Sequence, residues 1–150
     1  MSEREQPWRD DHAEHGRILV LSDNPIARAI EAIATAVGRD VHIEAVDDGG
    51  PGLRPGPRDA VVLCDHDAPD APAVLRAALA SEASYVAMMA SRRRAGAVAE
   101  ELTEEGVDIS TLHVPAGHNL GGKSPGEIAL SVIAEVVAES YGRPGGPMRG

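Results

Sequence analysis

From Arg17 onward the chain alternates short apolar runs with stretches of helical periodicity. The runs Ile18 to Leu21, Val41 to Val46, Ala60 to Cys64 and Tyr85 to Met89 have strand length. The central ones are continuously apolar, as expected of parallel strands covered on both faces. Between them, Pro25 to Val37 places Ile26, Ile30, Ile33 and Val37 on one predicted helix face, and Ala71 to Ala80 predicts a second helix. A third begins after Ser91, carries Ala95, Val98, Ala99 and Leu102 as its apolar stripe, and is closed by Gly106. A short fifth strand is expected near His113. The last helix opens with Ser124, Pro125 and Glu127, a capping box with proline at the first helical position. Its face is built from Ile128, Val132, Ile133, Val136 and Val137. Gly49 to Pro57 reads as an irregular loop where a crossover helix often sits. The predicted fold is α/β: a doubly wound, mostly parallel, Rossmann-like sheet of about five strands. In such sheets ligands bind beyond the carboxyl ends of the strands.

At 150 residues the chain is expected to form one domain over residues 17–141, with a flexible arm at 1–16 and a flexible tail at 142–150. There is no phenylalanine, and Trp8, Tyr85 and Tyr141 are the aromatic side chains, so the core must be aliphatic. With 14 Lys and Arg against 24 Asp and Glu, the net charge of −10 argues against nucleic acid or a membrane surface as partner. The single cysteine, Cys64, excludes an internal disulfide. Neither a membrane span nor a signal peptide is evident, and a cytoplasmic location is expected.

Two loop-to-helix junctions carry the candidate chemistry. At the first, Arg92, Arg93 and Arg94 fall in the opening turn of a helix capped by Ser91. Unpaired N–H groups and the macrodipole already make that turn positive, so a bound phosphate or carboxylate would relieve it. Three solvated arginines on an acidic chain are the plainer alternative. At the second, Gly117, Gly121 and Gly122 allow close backbone approach to a ligand or simply turn the chain, and His118, Asn119, Lys123 and Ser124 complete the loop. Residues 117–124, GHNLGGKS, formally match a P-loop. That nucleotide-hydrolase reading is disfavoured, because the capping box puts Ser124 at the cap rather than inside the first turn.

A dinucleotide site would show glycines after the first strand, where this chain has Ser22, Asp23, Asn24, Pro25 and Ile26. Asp47 stands where a ribose-binding acid would. Without the glycines, NAD(P) binding, and with it an oxidoreductase role, is disfavoured. Asp65 and His66 follow the third strand and can hydrogen-bond a polar ligand, while Cys64 reads as a small buried hydrophobe. Consecutive Cys64 to Asp67, or His12 with His15, make weak metal sites. No catalytic nucleophile or acid–base pair stands out, so the chain does not read as an enzyme.

Together these features resemble the C-terminal Rossmann-like domain of the XdhC/CoxI family, accessory proteins of xanthine dehydrogenase and carbon monoxide dehydrogenase type molybdenum hydroxylases. The resemblance lies in a tyrosine-led strand and serine-arginine junction, Tyr85 to Arg94, followed by a proline-glycine loop and helix, Pro115 to Glu135. It extends from about Arg17 to Gly142. It implies a protein that binds the molybdenum cofactor, molybdopterin, protects it, and passes it to the hydroxylase. Ser91 and Arg92, then Pro115, Gly117 and Gly121, then Pro125, Glu127 and Glu135 match the family motifs. Ala90 replaces a glycine, and His118 and Asn119 replace leucine and aspartate. The chain is expected to act as a stand-alone Rossmann-like half of the family. The implied partners are therefore a molybdenum hydroxylase client or a separate N-terminal-type XdhC protein. A homodimer, or a paralogue that keeps only a docking role, is the alternative.

Overall fold

A computed structural model of the protein describes residues 15–44, 54–65 and 70–149. Nine elements follow in order: β1 (Ile18–Leu21), α1 (Pro25–Ala36), β2 (Val41–Glu44), β3 (Ala60–Leu63), α2 (Ala71–Ala80), β4 (Tyr85–Met88), α3 (Arg92–Glu104), β5 (Leu112–His113) and α4 (Pro125–Ser140). The five strands form one sheet in the order β2-β1-β3-β4-β5, and every pairing is parallel. Ile18 aligns with both Val41 and Ala60, Ala60 with Tyr85, and Ala87 with His113. This is a doubly wound order in which the direction of strand addition across the sheet reverses between β1 and β3.

The side-chain period of two splits the core into halves. Ile18, Val20, Val62, Tyr85 and Ala87 pack with α1 and α4, whereas Leu19, Leu21, Val61, Leu63, Val86 and Met88 pack with α2 and α3. All four residues of β1, β3 and β4 are buried, which explains their unbroken apolar runs. The strands stop one residue short of the expected ends at Cys64 and Met89, yet both N–H groups still donate to the neighbouring strand, to Leu21 O at 3.0 Å and Leu63 O at 2.9 Å. The end predicted at Val46, the Asp47 position and most of the Gly49 to Pro57 loop lie outside the described residues.

One face was mis-centred. The buried side of α1 is Ala27, Ile30 and Ala34, with Ile26 and Ile33 only partly covered, and Val37 is exposed as the C-cap residue. Alanines win this face because α1 packs directly on α4, and close helix approach favours small side chains over the larger isoleucines at its margin. The buried α3 stripe is Ala95, Val98 and Leu102, while Ala99, predicted to share it, is only partly buried.

Candidate functional site

The carboxyl ends of β4 and β5 meet around a shallow cleft of about 250 Å³ lined by Arg92, Pro115, Ala116, Gly117, His118 and Asn119. Ser91 caps α3, its Oγ accepting the Arg94 N–H at 3.1 Å. The N–H groups of Arg92 and Arg93, in the first turn, have no carbonyl one turn earlier in the helix to bond. All three arginine side chains are exposed, and among the described residues none has a hydrogen-bond or ion-pair partner. Only Arg92 reaches the cleft. Arg93 and Arg94 are exposed and do not line it, which fits the solvated alternative.

The loop opposite Arg92 is fixed by its backbone. The Ala116 N–H donates to Met88 O at 2.9 Å, extending β5 along the end of β4, and the His118 N–H donates to Ser131 O at 3.1 Å. Gly117 lies at φ +99°, where a Cβ would sit 2.5 Å from Ser131 Oγ, so both conformation and space require glycine. The Gly117 N–H donates to Glu135 Oε1 at 3.0 Å, and the same oxygen accepts the Tyr85 hydroxyl at 2.6 Å. His113 stacks on Tyr85 with ring centroids 4.5 Å apart, and its Nδ1 lies 3.7 Å from Glu135 Oε2. At that distance the His113 contact is electrostatic rather than a hydrogen bond.

Burial pushes the Glu135 carboxyl pKa up, but His113, Tyr85 and the Gly117 N–H together outweigh it and bring the value down to about 2. Glu135 correspondingly raises the His113 pKa against the lowering effect of burial. Burial, then Glu135, raises that of the Tyr85 hydroxyl. Tyr85, His113 and Glu135 are absent from the binding residues expected from sequence. The available signal was Glu135 itself, a carboxylate between Ile133 and Val136 on the buried face of α4.

The second junction does not join the cleft. Ser124 caps α4, accepting the Glu127 N–H at 3.3 Å and donating its hydroxyl to Glu127 Oε1 at 2.9 Å. A Cβ at Gly122 would lie 2.9 Å from Glu127 Oε1, so the chain's own carboxylate fills the space an anion would need there. Gly121, Gly122, Lys123 and Ser124 therefore stand apart from Arg92 and the 115–119 segment. Because Ser124 is the cap and Pro125 starts the helix, Lys123 precedes α4 instead of lying in its first turn, unlike a P-loop lysine.

The remaining expected residues are scattered. Asp65 is half-buried and does not line the cleft, and His66 lies outside the described residues, as do Asp67 and His12. At the β1–α1 junction, Asn24 accepts the Ala27 N–H at 2.9 Å and donates Nδ2 to Cys64 O at 2.8 Å. The start of α1, where a dinucleotide's pyrophosphate would rest, is thus capped by its own side chain. Cys64 is buried, which pushes its thiol up to about 12. No group of three or more metal-ligating side chains occurs among the described residues, and no helix among them is long and apolar enough to cross a membrane.

The family model described as the XdhC Rossmann domain matches residues 18–136. The chain belongs to that family. This XdhC domain is also similar to a solved structure from Bacillus halodurans described as a xanthine dehydrogenase. The TM-score is 0.72 at 19% identity, covering 86% of the present chain and 44% of that one, and establishes a shared fold. Over 68 residues the XdhC domain is 40% identical to the uncharacterized protein YqeB of Escherichia coli K12, an alignment covering 43% of the present chain and 13% of YqeB. The chain thus spans less than half the length of either relative. The boundaries of the matched domain enclose β1 through Val136 of α4, and so both walls of the cleft.

Proposed function

We propose that this XdhC domain is an accessory protein in the maturation of a xanthine dehydrogenase-type molybdenum hydroxylase, and that it carries molybdopterin as cargo by its anionic end. The observation that carries this reading is the cleft shared by Arg92 and the 115–119 segment. A guanidinium without a protein partner faces it, next to first-turn N–H groups of α3, and both favour a phosphate. A cleft of about 250 Å³ suits one end of the ligand rather than a whole drug-sized molecule, for which pockets run from about 300 Å³ upward. The rest of the pterin would then lie against a second polypeptide, either the hydroxylase client or an N-terminal-type XdhC protein.

In this role the residues bind and orient. Arg92 supplies a forked donor, and the Tyr85–Glu135–Gly117 connection holds the facing loop at a fixed height above α4. Glu135 acts through Gly117 and is a positioning residue. Calorimetric titration with molybdopterin and with NAD, side by side, tests the proposal. Molybdopterin is expected to bind, Arg92→Ala to weaken binding by about tenfold or more, the loss of a charge-assisted contact, and NAD to give no saturable signal. Binding that is absent in the parent chain, or unchanged in Arg92→Ala, would sink the proposal.

A further inference from the structure

A second cavity, larger than the cleft, lies at the opposite edge of the sheet, where β1, β3 and β4 begin. It encloses about 420 Å³ and is lined by Arg17, Arg39, Arg58, Tyr85, Glu139 and Tyr141 among others. The cleft at the carboxyl edge shares none of these residues.

Arg39 is the anomaly. It is 8% exposed, although arginine is seldom so buried without an acidic partner. Its Nη2 donates to Ser140 Oγ at 3.0 Å, and its guanidinium carbon stands 5.8 Å from the centre of the Tyr141 ring. Among the described residues it has no ion-pair partner. Arg17, by contrast, is committed: its Nη2 is 2.7 Å from Asp59 Oδ2, and it also donates to Arg54 O at 3.1 Å. Among the described residues Glu139 is the one carboxylate lining the cavity, and it makes no ion pair with Arg39.

One hydroxyl and one ring face engage only part of the five-donor fork, and no remaining nitrogen of Arg39 is buried without a partner, so the unused donors stay open to solvent at the cavity. A ligand presenting two or three oxygens could engage those open donors of a guanidinium that has no carboxylate partner of its own. We infer that the cavity under the starts of β1, β3 and β4 is a second binding site, specific for a small molecule bearing a phosphate or carboxylate group. Arg39 is its anion anchor, and the half-exposed Tyr141 ring forms its outer wall. The site shares no lining residue with the cargo cleft and does not rest on the proposal made for it, although Tyr85, which lines it, also bonds Glu135.

Amide chemical-shift mapping of the full chain, titrated with inorganic phosphate and, in a parallel arm, citrate at matched ionic strength, tests this. Saturable shifts are expected at Arg39, Ser140 and Tyr141 in at least one arm. The responding arm identifies the anion. Arg39→Gln is expected to weaken that binding about tenfold or more, whereas Arg92→Ala leaves it unchanged. Should Arg39→Gln fail to fold, Tyr141→Ala, at an exposed helix cap, serves instead and should lower the affinity. Shifts that do not saturate, that map only to Arg92 and the 115–119 segment, or that persist unaltered in the folded variant would overturn the site.

Discussion

At the residue scale the decisive group is Glu135, which two strands, one loop and one helix use at once. Replacing it with alanine strands the Tyr85 hydroxyl and the Gly117 N–H, and should cost about 2–3 kcal/mol in urea denaturation. Glutamine, which keeps an acceptor, should cost less. The pH dependence follows from the direction of each shift. The Glu135 pKa is depressed from 4.5 to about 2, so its contribution is complete above the unfolded value and is lost as pH falls through that interval. The His113 pKa is raised from 6.5, so its share is complete below that value and is lost as pH rises through the folded one. Both report the same contact and are counted once. His113→Gln should flatten the stability profile above pH 6.5 while leaving much of the acid limb, where Tyr85 and Gly117 still hold the carboxylate. Cys64, with its thiol pushed up to about 12, should react with a disulfide reagent only as fast as the native state opens. Prompt stoichiometric labelling of native protein would contradict that.

At the element scale, helix starts decide what can bind. Three of the four helices have a side-chain cap, from Asn24, Ser91 and Ser124, but the surroundings differ. At α4 Glu127 supplies the negative charge, at α1 Asn24 closes the turn, and at α3 the first-turn side chains are arginines. Of these three starts only α3 is left electrostatically open, while α2, which follows Asp70, has no side-chain cap. Ser91→Ala should cost about 1 kcal/mol by thermal or urea melting, the ordinary value of a lost cap. Asn24→Ala should cost more, about 2 kcal/mol, because the tie from α1 to the Cys64 carbonyl is lost as well. Two loop glycines separate strain from crowding. Gly121→Ala, at φ +91° in open space, should cost about 1–2 kcal/mol for the left-handed conformation alone. Gly117→Ala adds a clash with Ser131 and should cost more and weaken ligand binding at the cleft, since the loop must leave α4.

At the scale of the whole molecule, an aliphatic sheet core is divided between two helical layers, and the two proposed binding sites sit on its two rims. Leu19 and Leu63 lie in the central strands with no exposed area, and alanine at either should cost about 2–5 kcal/mol. Leu130, 49% exposed on α4, should lose little, and similar losses at all three positions in urea melts would contradict this layering. With a net charge of −10 around a local arginine cluster, anion binding at the cleft should also weaken with added salt. Periodicity and turn chemistry were sufficient for the strands, the caps at Ser91 and Ser124, and the sheet order's general type, because those signals are local. They misplaced the α1 face, since only its packing on α4 shows that Ala27 and Ala34 lie innermost. They also grouped all the loop glycines into one anion site, since nothing local shows that Glu127 turns back on Gly122 while Gly117 turns toward Glu135. The sequence by itself determined which segments become strands and helices and which ends carry charge, for these depend on neighbours three or four residues away. Tertiary structure alone decided which charges share a pocket and which stay solvated, because Arg92 and Gly117, or Arg39 and Tyr141, meet only when the sheet has closed and distant residues have displaced water between them.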